Sequence, residues 1–411
     1  MITELRNLNQ DQRAACIASL LGWSLDAFDF FLMVFVVRSI AGDFHAQIKD
    51  VAFAITVTLM FRPVGALFFG WLAERFGRRP VLLIDVLLYS FLELASAFAP
   101  SLGALLVLRA LFGFAMGGEW GVGSSLVMET IPAQSRGIIS GILQEGYALG
   151  YLLAAIVYGL FLSLIGWRGM FVVGVLPALL VLYIRVKVKE SPVWSRRNRR
   201  VEPSTLRGLA PIARHWKRFL YVILLMTGFN FFSHGTQDLY PTFLEAQHHL
   251  APGVVSAISI VANLGAILGG VVFGIYSQRA GRRRAIVTAA LLALPVIPLW
   301  AFAATPFFLG LGAFLIQLMV QGAWGVVPVH LNELSPEGLR GIFPGFAYQL
   351  GNLLACGNAV WQAGIAADHH GNYGLALAWV AGLTALALAI ITACGPEAKD
   401  IVFGDTARDS S

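Results

Sequence analysis

Long apolar runs follow one another along the whole chain, each ended by a short turn rich in glycine, proline or charge. A membrane-crossing helix needs about 20 apolar residues to span a hydrocarbon core of about 30 Å. On that measure the pattern predicts about twelve crossings, near 15–37, 50–73, 80–98, 102–128, 136–163, 169–187, 219–247, 253–277, 284–303, 306–331, 340–366 and 372–394. No strand-like alternation is long enough for a barrel, and in lipid a helix satisfies its backbone groups within its own segment. The expected fold is an all-α membrane bundle. The first run is too long for a cleaved leader, contains Asp26 and Asp29, and is followed by no small-residue cleavage site.

Composition agrees with the pattern and excludes soluble classes. Of 411 residues, 57% are apolar and 13% charged, against roughly 45–50% and about 25% in a soluble domain. A net charge of +6 could suggest a nucleic-acid partner, but its distribution argues against one. Arg6 and Arg13 precede the first run, Arg75, Arg78 and Arg79 follow the second, and Arg136 follows the fourth. Eleven basic residues lie between Arg185 and Arg218; Arg279, Arg282, Arg283 and Arg284 follow the eighth run, Arg340 the tenth, and Lys399 and Arg408 the last. This alternation is the positive-inside pattern, and it places both termini and the long central loop in the cytoplasm. The expected location is an inner, or plasma, membrane, crossed many times by a chain acting as a monomer in the lipid bilayer. Cys16, Cys356 and Cys394 have neither metal-ligand spacing nor an even count, so they read as packing residues.

The chain divides in two. The polar stretch 188–215 has the Pro/Arg/Ser content of a linker and separates six-helix halves at 1–187 and 216–394, followed by a cytoplasmic tail at 395–411. Gly70, Glu74, Arg75, Gly77, Arg78 and Arg79 after the second run recur as Gly274, Gln278, Arg279, Gly281, Arg282 and Arg283 after the eighth, at an offset of 204. The same offset, without a gap, aligns Gly118, Trp120, Gly121, Glu129, Pro132, Arg136, Gly137 and Gly141 with Gly322, Trp324, Gly325, Glu333, Pro336, Arg340, Gly341 and Gly345. Two parallel repeats with a substrate site between them follow from this.

These residues resemble those of the major facilitator superfamily over essentially the whole chain. The loop motif G-x3-[DE]-R-x-G-[RK]-[RK] is met at Gly70–Arg79, and its second copy departs at Gln278. The resemblance implies that the loop arginines latch helix ends and acids, Glu129 in the first half and Glu333 with Arg340 in the second, in one gating state. The simpler alternative is that they only anchor topology.

Charges within membrane helices are costly and so are candidates for function. Asp26 and Asp29, three apart, share a helix face. Two close carboxylates disfavour ionising together, which suits one of them to bind and release a proton. Arg109 in the fourth run is the candidate cation, heading Arg109-x3-Gly113-x3-Gly117-x-Glu119. That stretch resembles a pattern of proton-coupled sugar and organic-acid carriers, which implies an arginine on helix four facing an acid on helix one. Arg62, Asp85, Glu93 and Glu145 also lie within runs; Glu145 aligns with Gln349 at the repeat offset, a polar cavity position, and ion pairing is the reading for the others.

In the seventh run Asn230, Ser233, His234, Gln237 and Asp238 form a polar stripe on one helix face. His234 and Asp238 are four apart and can pair, and Pro241 frees backbone groups nearby. An interhelical hydrogen-bond seam is the bland alternative. The stripe resembles the signature N-x2-[ST]-H-x-[ST]-Q-D-x3-T of monocarboxylate permeases related to the fungal lactate permease, in the sialate:proton symporter branch. The resemblance implies roles for Asn230, His234, Gln237 and Asp238 in substrate binding and proton coupling. Asp26-Ala-Phe-Asp29 is similar to the start of helix one in that branch, with Ala27 where glycine is usual.

Asn263, Gln317, Gln321, Gln349 and Asn352 are further candidates for a central cavity. The reading is a secondary transporter, not an enzyme, moving a small monocarboxylate of the lactate or pyruvate type together with a proton. It needs no cofactor, the proton gradient being the drive, and Arg109 with His234 would hold the organic anion. A sialate, other sugar-acid or aromatic-acid symporter of the same fold is the alternative, and a transporter-like sensor a distant one. Members carrying sialic acid tend to have extra spans in the central loop, where this chain has a polar basic stretch. No H-E-x-x-H and no phosphate-cradling glycine loop occurs.

Overall fold

The computed structural model describes residues 8–46, 48–200, 213–399, 401 and 403. Arg6, Arg408, loop residues 201–212 and tail residues 404–411 lie outside the described residues. Among the described residues the regular elements are all helical.

Ten helices or helix pairs are long and apolar enough to cross a membrane. One of them, Ala133–Lys187, is 55 residues long and makes two crossings, because the chain turns back at Gly166 (φ 64°). Residues before the turn run alongside the first helix, Gly150 against Ser24 and Tyr158 stacked on Phe35. Residues after it run back along the same helix, from Trp167 beside Asp43 to Lys189 beside Asp11. Phe343–Ala355 and Asn358–Asp368 together supply one more crossing. Among the described residues the count is therefore twelve.

The helices outrun the apolar stretches that announce them. The first, Gln10–Asp43, begins at an Asn9–Gln12 capping box and continues past the apolar run. Among the described residues six crossings are broken rather than continuous: the fifth at Glu145, the sixth at residues 174–177, the seventh between Trp216–Gln237 and Tyr240–Ala246, the ninth at Leu294–Val296, the tenth after Trp324, and the eleventh after Ala355. Proline sits at the start of the second piece in the seventh, where it removes a backbone donor. Pro63, by contrast, lies inside the unbroken helix Ile48–Phe76.

The sequence repeat is also a packing repeat. A Cβ on Gly118 would stand 2.4 Å from Phe69, and one on Gly322 would stand 2.4 Å from Phe273, the same contact 204 positions on. Small residues let membrane helices approach this closely, and close packing is what holds such helices together.

The two halves meet mainly at the end that carries the basic loops. There the second span lies against the eleventh and the fifth against the eighth, glycine to glycine. A Cβ on Gly70 would be 2.6 Å from the Gly341 carbonyl oxygen, and one on Gly137 would be 2.6 Å from that of Gly274. Above this seam Tyr348 packs its ring against Trp120 of the first half and Trp324 of the second. The central loop contains a helix, Pro192–Arg200, and its leading residues dock on the loop motif: the Trp194 indole donates to the Glu74 carbonyl oxygen at 2.9 Å.

Candidate functional site: a cavity between the halves

A cavity of about 490 Å³ begins where the seam ends. Its wall comes from the first, second and fifth spans of one half and the seventh to eleventh of the other. Aromatic rings dominate the apolar part: Phe30, Phe31, Tyr147, Tyr151, Tyr240, Trp300, Trp324 and Tyr348.

The seventh-span stripe faces this cavity. Asn230, Ser233, His234, Gln237 and Asp238 all line it, because helical spacing places them on one side and the other side packs on the eleventh and twelfth spans. The His234 ring lies between two partners, Nδ1 3.2 Å from Asp238 Oδ1 and Nε2 3.3 Å from Asn352 Oδ1. The Gln237 amide donates to Gln317 Oε1 at 2.7 Å, and Gln321 donates to the Ser233 hydroxyl at 3.3 Å. Asn263 is in the wall too, its amide turned to the Ser259 carbonyl. Gln349 is buried away from the wall and makes no side-chain hydrogen bond among the described residues.

The cation in the wall is Arg62 of the second span, the only arginine or lysine among the lining residues. Its guanidinium is 3.6 Å from Asp26, which is fully buried on the first span. Arg109, expected to pair with a first-span acid and to hold the anion, pairs instead with the third span and does not line the cavity. It is buried away from the wall, donates to Glu93 Oε2 and Ser96 Oγ at 2.6 Å each, and lies over the ring of Phe112. The physical reason is the rotation of the fourth span, which turns Arg109 toward the third span and sets the glycines of its other side against the second span. Asp29 is buried beside that pair and within the field of Glu93 and Arg109.

At the basic end the loop motifs form two matching charge networks. Arg78 donates to Glu74 at 2.7 Å and Glu129 at 3.0 Å; Arg282 donates to both oxygens of Glu333 at 2.9 and 3.0 Å. Gln278 takes the place of Glu74 without changing the pattern: Glu74 accepts from the Gly341 amide and Gln278 from the Gly137 amide, each across the seam, at 2.6 and 3.0 Å. Glu190 accepts from the amides of Arg78 and Arg79, and Glu397 from those of Arg282 and Arg283. Gly77 and Gly281 adopt φ of 105° and 97° at these turns, a region open to glycine. Arg75 and Arg279 instead point to solvent.

Two features escaped sequence reasoning. Arg62 carries no motif that shows which way it faces. Phe403 in the tail is buried between Arg136 and Arg340, the two arginines related by the repeat, at 3.6 and 4.1 Å from its ring centre. The Arg136 guanidinium also donates to the Ile401 carbonyl at 2.8 Å.

The profile of the Major Facilitator Superfamily matches residues 18–360. A carboxylic acid transporter protein homolog of Saccharomyces cerevisiae is 28% identical over 86% of this chain, and the match spans 61% of that longer protein. The sialic acid transporter NanX of Escherichia coli is 28% identical over 84% of this chain and 85% of its own length. The niacin transporter NiaP of Acinetobacter baylyi is 28% identical over 92% of both. The solved structure of the proton:xylose symporter XylE superposes with a TM-score of 0.79 at 18% identity, covering 96% of this chain and 98% of that one. That likeness shows the shared fold.

Proposed function

The chain belongs to the Major Facilitator Superfamily, and from that premise we propose that it is a proton-driven symporter of a small monocarboxylate, of the lactate or pyruvate kind. The observation that carries this reading is the position of Arg62, in the cavity wall and 3.6 Å from Asp26. A substrate carboxylate reaching the cavity competes with Asp26 for the guanidinium. When the substrate takes Arg62, Asp26 loses its partner, and a proton on its carboxyl restores neutrality. One anion and one proton then cross together. The field across the membrane opposes an anion alone by about 2.3 kcal/mol per 100 mV, and the proton removes that penalty.

His234, held between Asp238 and Asn352, supplies a second proton-accepting group and donors to the substrate, with Asn230, Gln237 and Gln317 beside it. Arg109, paired with Glu93, positions the third and fourth spans, and Asp29 stands within the field of that pair. The basic loops are taken as cytoplasmic by the positive-inside rule. The membrane is then the inner or plasma membrane, the termini are cytoplasmic, and the closed glycine seam makes this an outward-facing form.

A second reading concerns the cargo. A cavity of about 490 Å³ walled by eight aromatic side chains lies in the range that holds drug-sized ligands, about 300–1,000 Å³. This favours a ring-bearing acid over lactate, and the similar proteins include niacin and sialic acid transporters. Uptake of labelled lactate into proteoliposomes, with pyruvate, nicotinate and sialic acid as competitors, separates the two. Strong competition by nicotinate with none by pyruvate would move the cargo to the ring-bearing acids.

A further inference from the structure

Glu145 is the residue between the two helices of the fifth span, Arg136–Gln144 and Gly146–Val173. The first of these helices lies in the seam: a Cβ on Gly141 would be 2.3 Å from the Gly270 carbonyl oxygen of the eighth span. Glu145 is one turn further along, on the same face. Its Oε1 lies 2.0 Å from the place a Cβ on Gly270 would occupy, so the carboxyl fills the space that glycine leaves. Gly325 of the tenth span closes on the same point, its Cβ position 2.5 Å from the Gly270 carbonyl oxygen. On its other side Glu145 lines the cavity. Among the described residues its carboxyl makes no hydrogen bond or ion pair, although it is nine-tenths buried.

An acid in this position has a property that Asp26 and His234 lack. It borders the cavity while the seam is shut, and it belongs to the surfaces that part when the seam opens. We propose that Glu145 is a proton-carrying site of the transport cycle, loaded from the cavity and unloaded toward the basic end. Loading forms an O–H bond with a proton taken from cavity water; unloading gives that proton to water on the other side, with no change in electron count. This deepens the symport reading and rests on it.

The charge inventory gives the site a purpose. The titratable groups that face Glu145 around the cavity are Arg62 of the second span, Tyr147 and Tyr151 of its own, His234, Asp238 and Tyr240 of the seventh, and Tyr348 of the eleventh; the eighth span presents neutral residues, Ser259 and Asn263 in the wall and Gly270 against the carboxyl. With Glu145 ionised the wall repels an anion. With Glu145 carrying a proton that repulsion is gone, and a carboxylate can compete with Asp26 for Arg62. The repeat names the informative substitution, because the equivalent position in the second half is Gln349.

The test compares wild type, Glu145→Gln and Glu145→Asp in proteoliposomes. Exchange of labelled lactate at equal concentrations needs no net proton release. Accumulation under a gradient of about one pH unit does need it, and reaches about tenfold for one proton per anion. The expected result is exchange retained and accumulation lost in Glu145→Gln, with both present in Glu145→Asp. Wild-type-like accumulation by Glu145→Gln would overturn the assignment, and so would loss of exchange as well, since that marks a substrate or folding role. A second readout needs no cargo: the intrinsic fluorescence in detergent, followed against pH, of the ten tryptophans, of which Trp300 and Trp324 line the cavity. A transition present in wild type and absent in Glu145→Gln supports the site, even if lactate proves not to be carried. An unchanged transition overturns it.

Discussion

Arg62 and Asp26 face each other at 3.6 Å between the second and first spans, and of the two only Arg62 lines the cavity. In the proposed symport one guanidinium serves two carboxylates, one belonging to the protein and one that a substrate brings. Replacing Arg62 by glutamine removes a charged hydrogen bond to the substrate, worth about 1.5–3 kcal/mol. The expected result is a loss of affinity of about ten- to a hundredfold, measured as the concentration dependence of exchange. Asp26→Asn separates the roles: exchange persists and gradient-driven accumulation falls. Equal losses of both activities in Asp26→Asn would show that Asp26 only holds Arg62 in place.

The Arg282–Glu333 pair is fully buried and joined by two hydrogen bonds. Breaking a buried pair by removing one partner costs about 3–5 kcal/mol. Glu333→Gln leaves Arg282 and its neighbour Arg136 uncompensated, so the closed end loosens. A cysteine at Ser140, whose hydroxyl accepts from the Val329 amide across the seam, reports this in a background without Cys16, Cys356 and Cys394. Faster labelling by a water-soluble thiol reagent is expected in Glu333→Gln. Unchanged labelling would mean that the glycine contacts alone keep the end shut.

Phe403 bridges the same seam from the tail. Each guanidinium over its ring contributes about 0.5–2 kcal/mol when shielded from water. Opening the seam parts Arg136 from Arg340, and one ring cannot follow both. Phe403→Ala is expected to raise Ser140→Cys labelling less than Glu333→Gln does. A slower rate would show that the ring opposes closure.

Gly70 offers the reverse experiment. A Cβ there would be 2.6 Å from a backbone oxygen of Gly341, closer than the packing of the closed end allows. Gly70→Val is expected to hold the basic end open, abolishing transport with the protein still inserted in the membrane. Retained transport would place the seam elsewhere.

Some of this was readable from sequence and some was not, for definite reasons. The seventh-span stripe was readable because helical spacing alone puts Asn230, His234, Gln237 and Asp238 on one side, and a polar side must face protein or water. The charge networks were readable because the repeat aligned Arg78 with Arg282 and Glu129 with Glu333. Which of Arg62 and Arg109 reaches the cavity was not readable, because their facing depends on how each span is rotated against its neighbours. The sequence shows that both are arginines inside the membrane, but not that Glu93 is the partner Arg109 meets. Phe403 was hidden for a related reason: one aromatic in a short polar tail has no periodicity, and its partners lie 267 and 63 positions away.

The most direct measurement of the central claim is uptake of labelled lactate by proteoliposomes holding the purified protein, with and without an imposed proton gradient, beside His234→Ala. Accumulation that appears with the gradient, collapses with a proton ionophore and is lost in His234→Ala is the predicted result. Uptake by wild type that equilibrates at the same ratio with or without the gradient would contradict proton symport.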